Sequence, residues 1–203
     1  MTLPNIITVF RLLLIPVFVM CVLYYVTDRT GPEPSELLRW WATVVFIVAA
    51  VSDGIDGFLA RRFNQQSELG AVLDPVADKL LQVTALILLS FDFKGAFDPV
   101  PLWLPILVVS RDLFILLGFM VLKLVVGVKV EVKTHWSGKV ATALTMVVIA
   151  MVLLRFTRSP VYDLVLFLAG FCILTSLIVY VFRWVVQMNH PSMKTASSGK
   201  ARV

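Results

Sequence analysis

Long apolar runs recur along this chain with short polar breaks between them, and that pattern restricts the fold more than any other feature. Six stretches stand out: Ile6–Val26, Trp40–Leu59, Ala71–Phe91, Pro101–Leu122, Val140–Leu154 and Val161–Val181. A helix crossing the hydrocarbon of a bilayer needs roughly 20 apolar residues. Backbone in lipid must also satisfy its own hydrogen bonds, which an α-helix does within one segment. The runs therefore predict an all-α fold, an integral membrane bundle of six transmembrane helices. The fifth run is short unless its ends reach past Gly138 and Arg155. Of the 203 residues, 59% are hydrophobic and 15% charged, whereas water-soluble domains run at about 45–50% and about 25%. A soluble, disordered or collagen-like chain is excluded on those grounds. The net charge of +5 comes without a water-facing stretch of bases interleaved with aromatics, so membrane lipids and not nucleic acid are the expected partner. Cys21 and Cys172 both sit inside apolar runs and read as small buried hydrophobes rather than a disulfide.

Six crossings put both termini on one side, and the loop charges choose the side. Arg29, Arg39, Lys94, Arg155 and Arg158 fall on one face of the membrane. Arg61, Arg62, Lys123, Lys129, Lys133, Lys139 and the tail's Arg183, Lys194, Lys200 and Arg202 fall on the other. The larger set predicts cytoplasmic termini, with the Arg61–Leu69 turn also in the cytoplasm. The leader Met1–Asn5 has no basic stretch and no small-residue cleavage pattern follows the first run, so that run is expected to be a retained helix. Residues 1–189 then form one six-helix transmembrane domain, and 190–203, rich in Pro, Ser, Gly and Lys, a disordered basic tail.

Four carboxylates break the apolar pattern. Asp53 and Asp56 interrupt the end of the second run, in VSDGIDGFLARRF, and Asp74 and Asp78 the start of the third, in LGAVLDPVADKLL. A carboxylate at the centre of the hydrocarbon costs about 2.5–3.5 kcal/mol on insertion scales, so four this close need compensation. Residues three or four apart share a helix face. Asp53 and Asp56 form one pair, Asp74 and Asp78 another, and the short turn between the runs makes their helices antiparallel neighbours. At about 1.5 Å per residue the four lie in two layers near one membrane edge. Such a cluster cannot stay fully ionised without cations. Two divalent ions would neutralise it, and all-oxygen ligation suits Mg²⁺ or Mn²⁺. Gly54, Gly57 and Gly70 clear space around the acids, and Arg61 follows at headgroup level. Pro75 reads as a first-turn residue, where its missing N–H costs little. A metal-bridged diphosphate is the ligand these parts fit.

The run Asp53-x-x-Asp56-Gly57-x-x-Ala60-Arg61 followed by Gly70-x-x-x-Asp74-x-x-x-Asp78 resembles the complete signature of the CDP-alcohol phosphotransferases. The resemblance implies a CDP-linked lipid, CDP-diacylglycerol, as donor of a phosphatidyl group to an alcohol, with CMP released. It implies that Asp53, Asp56, Asp74 and Asp78 surround two metal ions and that Asp78 is also the general base. Gly57, Ala60, Arg61 and Gly70 would border the CDP-lipid. The opening LPNIITVFRLLLIPVF resembles the glycerol-acceptor branch, in which Asn5 and Thr8 would line the nucleotide site. Arg11 in the same stretch also fits a cation that simply snorkels to water. A two-subunit assembly is known in the family, and the residues leave it open here.

For the acceptor, Arg111 with Asp112 and Lys139 after Ser137-Gly138 offer two cations for a phosphate. An Arg111–Asp112 structural contact and a positive-inside lysine are the plainer readings of the same residues. Phosphatidylglycerophosphate synthases usually carry a second arginine one or two turns on, where this chain has Gly118, Phe119 and Met120, and DPVPLWLPILVVSRD resembles eukaryotic-type cardiolipin synthases. Both acceptors present a glycerol hydroxyl and a phosphate; the leader favours glycerol-3-phosphate over phosphatidylglycerol. An ion transporter is the rival class, because intramembrane carboxylates often mark ion paths. It would place charges at the midplane of related halves, and no repeat is visible.

Overall fold

The computed structural model describes residues 3–28, 36–63, 68–91, 93, 96–126 and 136–189; of these, the side chains at 3–7, 53–63, 68–75, 119, 121–126, 136–137 and 183–189 lie outside the description. Each apolar run becomes one helix: α1 (Leu3–Asp28), α2 (Glu36–Phe63), α3 (Glu68–Ser90), α4 (Trp103–Val126), α5 (Trp136–Leu153) and α6 (Pro160–Asn189). No strand occurs among the described residues.

The helices overrun the apolar stretches because polar residues close their ends. Glu36 opens α2, where a carboxylate complements the exposed N–H groups of the first turn. Pro160 is the first residue of α6, a position where it loses no hydrogen bond. Ser159 caps that end: its Oγ accepts from the N–H of Val161 at 3.3 Å and its carbonyl from Tyr162 at 2.9 Å. In α3 the helix begins at Glu68, so Pro75 stands about two turns inside and not in the first turn that the sequence suggests.

α5 ends in a tight reversal. The N–H of Phe156 reaches the carbonyl of Met151 at 2.8 Å, and that of Arg155 reaches Val152 at 3.0 Å. This pairing is the Schellman arrangement, in which the residue donating across the shorter stretch of chain is left-handed. Arg155 takes that conformation at φ 56°, where glycine is usual. Its side chain explains the choice. Nη1 donates to Glu36 Oε1 at 3.1 Å, and Nη2 donates to the Ala96 carbonyl at 3.1 Å and to the Tyr25 hydroxyl. Arg39 adds a second strand to this clamp, giving Nε to Glu36 Oε2 at 2.7 Å and Nη1 to the Leu153 carbonyl at 3.0 Å. The start of α2, the α3–α4 loop and the end of α5 are thus tied together at one rim. That loop folds inward, with Ala96, Phe97 and Val100 buried and the N–H of Val100 on the Leu89 carbonyl.

Within the bundle α1 packs along α2 and α3, while α6 packs along α5 and α4. Phe18 meets Phe46 with ring centroids 5.8 Å apart. Buried alanines such as Ala42, Ala49, Ala85 and Ala169 let the helix backbones come close. The outward faces are equally apolar. On α6, Phe167, Phe171, Ile178 and Phe182 are 68%, 65%, 67% and 69% exposed, and Phe10, Leu13, Val17, Met20 and Tyr24 line the outside of α1. Water does not tolerate a continuous apolar belt of this extent, and lipid does. Among the described residues, Thr8–Asp28 and Pro160–Phe182 are long and apolar enough to cross a bilayer, and Gly138–Leu153 is a shorter apolar helix. Cys21 and Cys172 are free thiols, only partly buried and packed against the apolar core. The stretch from His190 onward lies outside the described residues.

Candidate functional site

The acidic quartet is carried by two unbroken helices. α2 runs through Asp53 and Asp56, and α3 through Asp74 and Asp78, so each pair keeps the spacing that puts both members on one face. Asp78 is partly buried and has interaction partners. The side chains of Asp53, Asp56 and Asp74, and those of Asn5, Ala60 and Arg61, lie outside the description, as do the surroundings of Gly57 and Gly70. Helix register sets their levels. Asp56 lies seven residues before the end of α2 and Asp74 six residues after the start of α3, about 10 Å from the turn in both cases. Thr8 lies twenty residues before the end of α1, about 30 Å, and Asp56 twenty residues after the start of α2. Because α1 packs on both helices, its first turns stand at the level of the acids. Thr8 and Arg11, one turn apart, are both completely buried there. Arg11 therefore does not snorkel to water; its charge is held inside the bundle, where it has partners.

A second polar cluster stands one residue along α3 from Asp78. The Lys79 ammonium lies 2.8 Å from Asp112 Oδ2, a contact made by charge and not aligned as a hydrogen bond. Arg111 Nη1 donates to the other oxygen of the same carboxylate at 3.0 Å. Arg111 is 7% exposed, and its Nη2 donates to Ser176 Oγ on α6 at 3.2 Å. A guanidinium has five N–H donors, and these two bonds occupy two of them. Its Nε is buried and has no hydrogen-bond partner among the described residues. Two cations share one carboxylate here, leaving net positive charge and spare donors, the composition of an anion site. Lys139 is exposed near the start of α5, immediately after Gly138, whose backbone lies against Arg111. The Arg111–Asp112 contact, which the sequence offered as the plainer alternative to an acceptor site, is present; Lys79, Gly138 and Ser176 are additions. Lys79 could have been suspected from its place beside Asp78, whereas nothing in the apolar run around Ser176 marks it.

Elsewhere an apolar groove of about 340 Å³ lies between the far end of α3 and α4, lined by Ile87, Phe91, Leu102, Ile106 and Val109. Its polar side chains are the hydroxyls of Ser90 and Ser110 alone.

Paired acids at one level of a helical hairpin, an adjoining cationic cluster and a lipid-facing exterior define an enzyme that works on charged lipid headgroups, and the chain belongs to the CDP-alcohol phosphatidyltransferase family, whose profile matches residues 1–174. Among its relatives are proteins named CDP-diacylglycerol–glycerol-3-phosphate 3-phosphatidyltransferase from Salmonella typhimurium (strain LT2), Salmonella paratyphi A and Escherichia coli (strain K12). Each is 36% identical over 154 residues, covering 75% of this chain and 76% of the relative. The family and the apolar spans together make the chain a membrane transferase. Enzymes of this family generally require a divalent cation, and carboxylates of the kind carried on α2 and α3 are the hard oxygen ligands such a cation takes.

Proposed function

We propose that this protein transfers the phosphatidyl group of CDP-diacylglycerol to glycerol-3-phosphate, giving phosphatidylglycerophosphate and CMP, inside a bundle of six membrane-crossing helices. The observation that carries the acceptor assignment is Arg111: a buried guanidinium with unspent donors, in a net-positive cluster one residue along α3 from Asp78. Glycerol-3-phosphate brings the dianion that such a cluster lacks. The names of the relatives point to the same acceptor.

Asp53, Asp56, Asp74 and Asp78 hold two divalent cations, Mg²⁺ or Mn²⁺, in this reading. Bound there, such cations would supply Lewis acidity to the diphosphate. The chain's own groups do the rest. Asn5, Thr8, Gly57, Ala60, Arg61 and Gly70 border the CDP-lipid, with Arg61 neutralising phosphate charge. Arg111 and Lys139 hold the acceptor's phosphate so that its free hydroxyl approaches the phosphorus attached to diacylglycerol. Asp78 takes the hydroxyl proton as the new O–P bond forms. The bond from that phosphorus to the CMP oxygen breaks, and CMP leaves with the electron pair. Positioning supplies much of the rate, because holding two reactants in line removes the entropy of bringing them together. The charge bias of the loops supports a site at the cytoplasmic face, with both termini on that side.

The test is CMP release by purified protein with CDP-diacylglycerol and Mg²⁺, comparing glycerol-3-phosphate, phosphatidylglycerol and inositol phosphate as acceptors. Release dependent on glycerol-3-phosphate, with phosphatidylglycerophosphate formed, is expected. Release driven by phosphatidylglycerol instead would make the enzyme a cardiolipin synthase and overturn the acceptor assignment.

A further inference from the structure

Hydroxyls inside helices usually bond back to their own backbone, and here the buried Thr43 and Thr145 and the partly buried Ser90 and Thr142 each donate to the carbonyl four residues earlier. Ser176 is different. It is fully buried in the middle of α6, and its oxygen accepts from Arg111 on α4, 65 positions away. Gly138 on α5 meets the same nitrogen. A Cβ built at residue 138 would stand 2.5 Å from Arg111 Nη2 and 3.6 Å from Ser176 Oγ. The first distance is far inside contact, and the atom it strikes is held by Ser176 and by the Asp112 bond on Nη1. Three helices therefore converge on one guanidinium, and the notch it fills exists only because residue 138 has no side chain.

We propose that Gly138 and Ser176 are positioning residues for acceptor specificity: they seat Arg111 so that its remaining N–H donors face the phosphate of glycerol-3-phosphate. This rests on the reading of Arg111 as an acceptor ligand. A guanidinium recognises phosphate through donors in a fixed fork, so tilting the fork weakens the match while the charge stays. Ser176 sets the tilt from one side and the empty Cβ position of Gly138 sets the depth. Neither touches the substrate, so both act on acceptor binding and leave the CDP-lipid site alone.

Steady-state kinetics on Ser176→Ala, Ser176→Thr, Gly138→Ala and Arg111→Gln in the same detergent separate the possibilities. Ser176→Ala should raise KM for glycerol-3-phosphate about tenfold, with KM for CDP-diacylglycerol within about twofold of the parent enzyme and kcat reduced less than KM is raised. Ser176→Thr, which keeps the hydroxyl, should recover most of that loss. Gly138→Ala should raise the acceptor KM further, about thirtyfold, because Nη2 must leave its notch. An unchanged acceptor KM in Ser176→Ala, alongside a collapse in Arg111→Gln, overturns the positioning role and leaves the Arg111 assignment standing. An unchanged acceptor KM in Arg111→Gln overturns both. Equal losses toward both substrates in Ser176→Ala would mark a general packing defect and also refute the proposal. If Gly138→Ala does not fold, the Ser176 pair decides alone.

Discussion

Arg155 offers a prediction in which the usual order of two substitutions is reversed. A left-handed backbone costs a residue with a Cβ about 1–2 kcal/mol relative to glycine, and Arg155 accepts that cost at φ 56°. Its side chain offsets it. The bond to the Ala96 carbonyl serves a residue with no exposed surface, and leaving such a carbonyl without a donor costs about 1–3 kcal/mol. The pairing with Glu36 joins side chains 32% and 44% exposed, so screening holds it below about 1 kcal/mol. The Tyr25 ring, 5.7 Å from the guanidinium carbon, adds roughly 0.5 kcal/mol. Arg155→Ala loses all of this and keeps the backbone cost. Arg155→Gly loses the same contacts but relieves the backbone. Both are less stable than the parent, and the glycine variant is the more stable of the two by about 1 kcal/mol, or roughly 2–4 °C in melting temperature for a chain of this size. Scanning fluorimetry in one detergent at one heating rate reads the order. An alanine variant as stable as the glycine variant would refute the role of the left-handed turn, and two variants melting with the parent would refute the clamp.

Gly170 faces Trp103, where an added Cβ would lie 2.8 Å from the indole Cζ3; Gly170→Ala should cost about 1–3 kcal/mol through overpacking between α4 and α6, seen as a lower melting temperature with acceptor KM unchanged. Asp78→Asn should cut turnover by about 10²–10⁴-fold, the usual worth of a positioned general base, while equilibrium binding of CDP-diacylglycerol persists; substantial remaining turnover would remove Asp78 from the base role. Chelation of divalent cations should abolish CMP release, and Mg²⁺ or Mn²⁺ should restore it; release that survives chelation would contradict the carboxylate cage.

The helices were legible because an apolar run of about 20 residues has few other uses. Their ends were less so. Hydropathy starts α2 at Trp40 because Glu36 and Arg39 are charged, yet those two neutralise each other, and Arg39 donates to the Leu153 carbonyl across the rim. Likewise α6 continues past Val181 through Arg183 to Asn189. Pro75 suggested a helix start because proline lacks an N–H, but α3 continues through it. The acids at 53, 56, 74 and 78 were visible because a carboxylate in an apolar run is costly and its spacing is periodic. Arg155 was visible only as a loop charge; its turn and its bonds join residues far apart in the chain. Gly138 and Ser176 carry no anomaly of their own, and only the folded contact with Arg111 gives them meaning.

The length of α2 bears on where the chemistry meets water. Its 28 residues measure about 42 Å at 1.5 Å per residue, whereas the oily layer is about 30 Å deep. In the proposed six-span arrangement, with Glu36 at one boundary, the twentieth step along an upright α2 would arrive at Asp56, and the last two turns would stand clear on the opposite shore. A water-borne phosphate and an oil-borne lipid can meet at that waterline without either one crossing into the other's solvent.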